Sequence, residues 1–480
     1  MKLNWSLKKN NHLLVKLAVS ILLVGLAFRL FVFKSQEFTA PSELETSGSA
    51  DVDRIEVVAE PEPEAKAKAE GEAKAPEAEV STGDVSEYED QNQMPQNETE
   101  DQIGMPVKEK CDLFMGDWVP NPSGPVYTNA SCPLIEGHQN CIRNGRPDSG
   151  YLYWKWKPRD CELPPFDAEK FLDMMRNKTW ALVGDSISPF DHFNGLLRAY
   201  DHLVFPFKPI DVHQITLSFD DVSLVEQAVE VYHDEDYKSK RWHFSSYNFS
   251  VSVIWSPFLT KAATFEDFNG VSTSEVELQL DKLDENWTDL YSNLDYMIIS
   301  TGKWFLKSSI YYENDTVVGC HYCPKRNLTE LGFDYAYGKT LHSVLDFIAT
   351  SKHKGSIFFR TSTPDHFENG DWHNGTCERT NPAKGDEVEL KYLSKILLDI
   401  ELAEFEKAAP KAAENGVNLK LLDFSSLSLL RPDGHPGPYR EFQPFAKDKN
   451  AEVQKDCLHW CLPGPIDAWN DLIMEMIVNR

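Results

Sequence analysis

A serine and a late Asp–His pair are the side chains of this sequence best suited to nucleophilic chemistry. Ser186 stands in VGDSIS, directly after the apolar run TWALV, with Gly184 and Asp185 before it. Asp456 and His459 stand near the C-terminus in KDCLHWC. A serine hydroxyl is a weak nucleophile without a neighbouring base, and a histidine serves as that base when an acid fixes its orientation and tautomer. The three side chains therefore predict a Ser-His-Asp triad.

Both motifs also have structural interpretations. Gly-Asp-Ser is common turn chemistry at the end of a strand. His459 could be a structural histidine between Cys457 and Cys461, or part of a Cys/His zinc site, although the C-x₃-C spacing around one histidine disfavours zinc. The GCHYC motif at 319–323 resembles half of a zinc site, but no second C-x₂-C follows at a suitable spacing. We expect a local disulfide or a loop clamp there in preference to a metal site.

The elements between the two motifs alternate between strands and helices. Apolar strand patterns occur at 179–186, 248–258, 295–301, 356–362 and 418–425, and helical patterns at 166–177, 339–351, 390–409 and after the Pro-Gly-Pro break. This alternation predicts an α/β fold, a mostly parallel sheet with helices on both faces. Sites in such sheets lie at the carboxyl ends of the strands, which is where Ser186 stands.

The chain divides into five predicted segments. Residues 1–16 form a basic tail, and the apolar run 17–34 predicts a signal-anchor helix, with a cleaved signal peptide as the alternative. Residues 35–107 hold 20 acidic and 4 basic residues and predict a disordered acidic stem. A Cys-rich subdomain at 108–165 and a catalytic domain at 166–480 follow. The net charge of −28 excludes a typical nucleic-acid-binding protein, which needs a basic face.

The cysteines and the glycosylation sequons agree with a lumenal domain. In an oxidising compartment most cysteines pair, and an odd count leaves at least one over. We predict at least three disulfides, with Cys457 or Cys461 bonded to a distant segment such as Cys377 or Cys320. The nine candidates are Cys111, Cys132, Cys141, Cys161, Cys320, Cys323, Cys377, Cys457 and Cys461. The sequons beyond the anchor are Asn97, Asn129, Asn177, Asn248, Asn286, Asn314, Asn327 and Asn374.

Several longer blocks resemble a known family. CDLFMGDWV, NGRPDSGYLYWKWKP, LPPFDAEKFLDMMRNK, VGDS, HFENGDW and DCLHWCLPGPIDAWN are similar to blocks of the plant trichome birefringence-like proteins, which O-acetylate cell-wall polysaccharides in the Golgi. The resemblance covers roughly residues 108–480. The segment STGKWFLKSSIYYENDTVVGCHYC, at 300–323, is most similar to the xyloglucan-acetylating branch, with mannan and xylan as the other acceptors.

The resemblance implies both a fold and a set of roles. It implies an SGNH/GDSL-hydrolase-like fold with a small disulfide-linked N-terminal subdomain. Ser186 would be the nucleophile, Asp456 and His459 would complete the triad, and Gly184, Asp185 and Gly302 would support the oxyanion. The chain departs from the family after the serine, where Pro189 and Phe190 replace an Arg-Asn pair and Arg198 stands where a cysteine is often found. The missing cysteine could leave Cys132 or Cys141 without its usual partner, and loss of the Arg-Asn pair could weaken activity.

The function implied is that of a single-pass type II Golgi membrane protein with a lumenal catalytic domain. It would transfer an acetyl group from acetyl-CoA or another acetyl carrier to a wall-polysaccharide hydroxyl, with no bound cofactor. Two alternatives remain. One is a polysaccharide acetylesterase, with water as the acceptor, and the other is a non-catalytic polysaccharide-binding protein, which Pro189 and Phe190 would favour.

Overall fold

The computed structural model describes residues 111–132, 135–186, 228–265 and 272–479. Within these ranges the α-helices are α1 (Ala168–Met174), α2 (Glu285–Tyr291), α3 (Gly332–Thr350), α4 (Tyr392–Glu414), α5 (Ser425–Leu429) and α6 (Pro465–Asn479). The strands are β1 (Gly116–Pro120), β2 (Trp154–Pro158), β3 (Thr179–Gly184), β4 (Val229–His233), β5 (Lys240–Phe244), β6 (Phe249–Trp255), β7 (Thr260–Ala263), β8 (Val276–Leu283), β9 (Tyr296–Ile299), β10 (Ser309–Glu313), β11 (Thr316–His321), β12 (Ser356–Arg360) and β13 (Asn418–Leu422). Short 3₁₀ turns join several of these elements.

The central sheet has seven strands in the order β13-β12-β9-β3-β6-β5-β4. The first five are parallel to one another, whereas β5 and β4 add antiparallel to the edge. All five strands predicted from the sequence are these five parallel strands. The mostly parallel α/β fold is therefore confirmed.

Helices cover both faces of this sheet because successive strand residues point to opposite sides. Along β3, Trp180 and Leu182 belong to one buried cluster, and Ala181 and Val183 belong to another. The first cluster includes residues of α1 and α6, and the second includes residues of α3 and α4. A strand buried on both faces reads as a continuous apolar run, which is the pattern of TWALV.

Two smaller sheets were not predicted from the sequence. One has four strands in the order β11-β10-β8-β7, and the other is the antiparallel pair β1-β2. Strand β8, VELQLDKL, alternates buried and exposed residues over its first half, which is the signature of a strand with one solvent face. Strand β11 begins with three exposed residues and has no such pattern.

Several predicted features lie outside the described ranges. These are the tail, the signal anchor and the acidic stem, together with Asn97, Pro189, Phe190 and Arg198. Within the described part of the chain, no helix combines the length and apolarity needed to cross a membrane.

Candidate active site

Ser186 stands two residues beyond β3, at the carboxyl edge of the central sheet. Gly184 ends the strand with a φ of 152°, a backbone conformation that favours glycine. Neighbouring β9 runs parallel to β3 and leads to Gly302, where an added Cβ would lie 2.8 Å from the Cβ of Ser362. The loops after β3, β9 and β12 therefore meet at one edge with no room for a side chain at Gly302.

The structure brings the three predicted triad residues together. The Ser186 Oγ lies 3.2 Å from the Nε2 of His459, although 273 residues separate them. The Nδ1 of His459 lies 2.8 Å from the Oδ2 of Asp456. With Nδ1–H donating to the carboxylate, Nε2 is free to accept the serine proton, which is the arrangement a general base requires.

The carboxylate of Asp456 remains charged in this arrangement. Burial, which leaves Asp456 1% exposed, raises its pKa, but the interaction and hydrogen bond with the His459 ring and the guanidinium of Arg440 hold the pKa well below its ordinary value. Its second oxygen accepts from the backbone N–H groups of Leu458 (3.0 Å) and His459 (2.9 Å). The aspartate therefore fixes both the turn and the histidine tautomer.

Three further side chains surround the triad histidine. Arg440 donates from Nη1 to the Oδ2 of Asp456 and lies 2.8 Å from the Nδ1 of His459. The rings of Trp372 and His138 lie 5.8 and 6.5 Å from the His459 ring, both edge-on. Burial and the charge of Arg440 lower the pKa of His138 to about 4. A neutral imidazole, a guanidinium and an indole therefore border the base.

The N-terminal Cys-rich segment supports the histidine turn from behind. Cys141 forms a disulfide with Cys461, and the carbonyl of Gln139 accepts from the N–H of Leu462 at 2.9 Å. Arg146 donates to the carbonyls of Asp433 and His435, both at 2.7 Å. The segment thus clamps the chain on both sides of the site, which gives the N-terminal subdomain a direct part in positioning His459.

Four disulfides join eight of the nine cysteines, so the prediction of at least three is confirmed. Cys457 bonds to Cys377 and Cys320 bonds to Cys323, as the sequence suggested. Cys111 bonds to Cys161 within the N-terminal segment. Of the two cysteines expected to lose a partner, Cys141 bonds to Cys461, and Cys132 is fully buried.

Removing the Cys377–Cys457 bridge should reduce activity while the sheet remains folded. In a Cys377→Ser/Cys457→Ser double variant, the residue next to Asp456 is no longer held by a disulfide. We therefore expect kcat to fall at least roughly tenfold, which corresponds to an increase of about 1.4 kcal/mol in the activation free energy. The bridge closes a loop of 80 residues, so the free energy of unfolding should fall by about 4 kcal/mol or less. Steady-state kinetics and denaturant unfolding measure the two effects.

The matched control is Cys320→Ser/Cys323→Ser, which removes a bridge between residues three apart on the four-stranded sheet. We expect it to leave kcat within a factor of about two, because it does not contact the histidine turn. Equal losses of kcat in both double variants would contradict a specific role for the Cys377–Cys457 bridge.

A buried carboxyl group joins two of the loops at this edge. Glu401 on α4 is fully buried, accepts from the N–H of Ser362 at 3.1 Å and lies 2.5 Å from the hydroxyl of Tyr337. That hydroxyl lies 3.0 Å from the carbonyl of Thr301. Burial raises the pKa of Glu401 to about 7. The group links the loops that approach each other at Gly302.

One cluster of possible metal ligands occurs in the described ranges, Cys320, Cys323 and Glu330. Its two sulfurs form the disulfide described above, so they are not thiolate ligands in this structure. The predicted sequon asparagines are at the surface. Asn129 is half-buried, and the others in the described ranges are exposed, namely Asn177, Asn248, Asn286, Asn314, Asn327 and Asn374.

Two family models and several known proteins match this chain. Residues 163–197 and 221–476 match the model of the GDSL/SGNH-like acyl-esterase family found in Pmr5 and Cas1p. Residues 109–162 match the PMR5 N-terminal domain. The chain is 51% identical to Protein trichome birefringence-like 23 of Arabidopsis thaliana over 485 residues, which covers all of this chain and 99% of that protein. The chain belongs to the trichome birefringence-like family.

Other relatives of this chain carry an activity in their names. The chain is 40% identical to Xyloglucan O-acetyltransferase 1 of Arabidopsis thaliana over 369 residues, 76% of this chain and 80% of that protein. It is also 40% identical to Xyloglucan O-acetyltransferase 1 of Populus trichocarpa over 374 residues. The family assignment and the GDSL/SGNH-like fold expected from the sequence are thus confirmed, and the family is one of acyltransferases and esterases.

Sequence reasoning about this family member missed two residues that border the triad. His138 comes from the N-terminal segment, and Arg440 stands 16 residues before Asp456 with no motif around it. Trp372 lies in HFENGDW, one of the blocks that resemble the family, and that block was the available signal. Of the residues expected to support the oxyanion, Gly184 ends β3, Asp185 is buried, and Gly302 follows β9. The residues that follow Ser186 lie outside the described ranges.

Proposed function

We propose that this protein transfers an acetyl group to a hydroxyl of a plant cell-wall polysaccharide through an acetyl-serine intermediate. The observation that carries the proposal is the continuous contact from the Ser186 hydroxyl through His459 to the charged Asp456. The 40% identity to xyloglucan O-acetyltransferases supports xyloglucan as the acceptor, with mannan and xylan as the alternatives to test.

The reaction would proceed by double displacement. His459 takes the Ser186 proton while Oγ attacks the acetyl carbonyl; the serine ester forms, and the carrier leaves with the proton from His459. A sugar hydroxyl then gives its proton to His459 and attacks the acetyl-serine, and the serine leaves with that proton. Asp456 stabilises the imidazolium in both steps. Water must be kept from the second step, which the half-buried position of Ser186 favours.

The proposed setting is the Golgi lumen. Residues 17–34 would anchor the chain as a single-pass type II membrane protein, and the acidic segment 35–107 would separate the catalytic domain from the membrane. The acetyl donor would be acetyl-CoA or another acetyl carrier that binds as a substrate, and no bound cofactor takes part.

The test is an acetyl-transfer assay with the full-length protein in detergent. The protein is incubated with a radiolabelled acetyl donor and xyloglucan, mannan or xylan oligosaccharides, and labelled oligosaccharide is separated from labelled acetate. We expect labelled xyloglucan oligosaccharide with the wild type and none with Ser186→Ala. Label in acetate alone, independent of the oligosaccharide, would overturn the transferase proposal.

That second outcome would favour an acetylesterase, because the matching family model is described as one of acyl-esterases. The same triad serves both reactions, and the acceptor alone differs. Release of acetate from pre-acetylated xyloglucan would then be the positive result.

Trp372 should contribute to binding the sugar acceptor. Its ring lies beside His459 and beneath Arg440, whose guanidinium carbon is 5.7 Å from the ring centre. The flat apolar face of an indole packs against the C–H face of a pyranose ring. We expect Trp372→Ala to raise KM for the oligosaccharide roughly tenfold, equivalent to about 1.4 kcal/mol, with KM for the donor unchanged. Trp372→Phe, which keeps an aromatic face, is the control, and equal KM values in the two variants would contradict the stacking role.

A further inference from the structure

Two buried histidines outside the triad lie directly behind His459. His366 follows β12, and His435 follows the 3₁₀ turn at Pro432–Gly434; they are 8% and 4% exposed. The His366 Nε2 lies 2.8 Å from the carbonyl oxygen of Leu429, and the His366 Nδ1 lies 2.6 Å from the His435 Nε2. The His435 Nδ1 lies 2.6 Å from the carbonyl oxygen of His459. These three contacts form one continuous chain that ends on the backbone of the triad histidine.

The chain of contacts requires three protons. A carbonyl oxygen only accepts, so the His366 Nε2 and the His435 Nδ1 must each carry a hydrogen. The two inner nitrogens face each other at hydrogen-bond distance and require a third hydrogen between them. Two neutral imidazoles carry one hydrogen each, which leaves the chain one proton short.

We infer that His366 and His435 share this additional proton as an imidazole–imidazolium pair, and that the pair is a positioning device that holds the His459 carbonyl and so orients the triad ring. The inference about orientation rests on the proposed function, whereas the inference about the proton does not.

Burial opposes a charge at this position. It lowers the pKa of His366 to about 4 and that of His435 well below its ordinary value, which by itself would leave both rings neutral. Neutral rings, however, would set two lone pairs against each other at 2.6 Å or turn one ring away from its carbonyl. Buried carbonyls rarely lack a donor, so the geometry favours the third proton.

The surrounding charges are mixed, with carboxylates from three different segments. Asp365 precedes His366, Asp433 lies two residues before His435, and the triad carboxylate lies beyond the His459 backbone; all three favour a proton on the pair. Each of these carboxylates also binds a cation, and the charge of Lys391 opposes a proton on His366. Lys391 binds Asp365, Arg431 binds Asp433, Arg440 binds Asp456, and Arg146 donates to the backbone carbonyl of His435. Lys303 binds Asp365 as well.

A proton shared in the folded state is present below the pKa of the pair and is lost as the pH rises through it. Loss of the proton removes the central contact and loosens the hold on the His459 carbonyl. We therefore expect kcat to decline on the alkaline side of its pH profile because of this pair.

The direct test is ¹⁵N NMR of histidine-labelled full-length protein at neutral pH. The signals of the pair are assigned by their loss in His366→Asn and in His435→Asn, so that one unfolded variant does not block the assignment. We expect three of the four ring nitrogens of the pair to carry hydrogen. If only two of the four ring nitrogens carry hydrogen, the inference of a shared proton is wrong. This result does not depend on whether the protein acetylates a sugar.

The kinetic test separates positioning from bulk structure. In His366→Asn the carboxamide donates to the His435 Nε2 without an additional proton, so the alkaline limb of kcat should move to higher pH. His435→Ala removes the donor to the His459 carbonyl and should lower kcat about 10²-fold, with KM for the oligosaccharide unchanged. His342→Asn, at an exposed position on α3, is the matched control and should keep the wild-type profile. An alkaline limb at the same pH in His366→Asn and the wild type would overturn the positioning role.

Discussion

Replacing Ser186 by alanine is expected to abolish acetyl transfer. The hydroxyl that faces the Nε2 of His459 at 3.2 Å is the atom that would carry the acetyl group, and alanine offers no atom to acylate. Loss of a triad nucleophile lowers kcat by about 10⁶-fold in a well-studied serine protease, and the residual rate comes from binding and the oxyanion site. Rates with labelled donor and xyloglucan oligosaccharide measure the loss, and trapping of labelled protein after a short incubation shows whether the acetyl-serine forms.

The double variant Ser186→Ala/His459→Ala provides the internal control. Residues that act as one unit have non-additive effects, so the double variant should be little worse than either single variant. A wild-type rate in Ser186→Ala would end the enzyme proposal. Absence of transfer in every form, with oligosaccharide binding intact, would favour the non-catalytic binding protein.

Asp456→Asn should reduce kcat about 10⁴-fold while leaving the fold in place, by analogy with the corresponding change in a serine protease. The asparagine amide would donate to the Nδ1 of His459, which places the ring proton on Nε2. An Nε2–H cannot accept the proton of Ser186. The side chain is small and isosteric, so the free energy of unfolding should fall much less than the activity, even though the change leaves Arg440 beside a neutral group.

The control for this variant is Asp448→Asn, at an exposed position in the segment that precedes the triad aspartate. It should keep the wild-type kcat and unfolding midpoint. A loss below tenfold in Asp456→Asn would show that His459 does not depend on this carboxylate for its tautomer.

The parallel core of the fold could be predicted from the sequence because its signal is local. The strand TWALV is apolar on both faces, and each of the other four parallel strands carries a similar run. The predicted helices at 166–177, 339–351 and 390–409 correspond to α1, α3 and α4, with ends that differ by up to seven residues. Strands of the four-stranded sheet were missed because their burial depends on partners that no short window reveals.

The disulfides likewise include one that local spacing could predict and one that it could not. The short spacing of Cys320 and Cys323 favoured a local bridge, which the structure contains. The bridge between Cys141 and Cys461 spans 320 residues, and no spacing argument could select it from the possible pairings. It depends on the N-terminal segment lying behind the histidine turn.

The sequence by itself determined the chemistry that this protein can offer: a serine at the end of a buried strand, and a histidine held three residues after an aspartate. It did so because a strand end and a tight turn are local structures, fixed by a few neighbouring residues. Only the tertiary structure decided which side chains border that chemistry. His138, Arg440 and Trp372 meet at His459 from three separate segments. The segments of Trp372 and Arg440 also carry His366 and His435, and His435 contacts the His459 carbonyl. Such contacts form only when the whole sheet packs and its loops are buried. The free energy that selects them comes from packing throughout the core, so no short stretch of sequence reveals them.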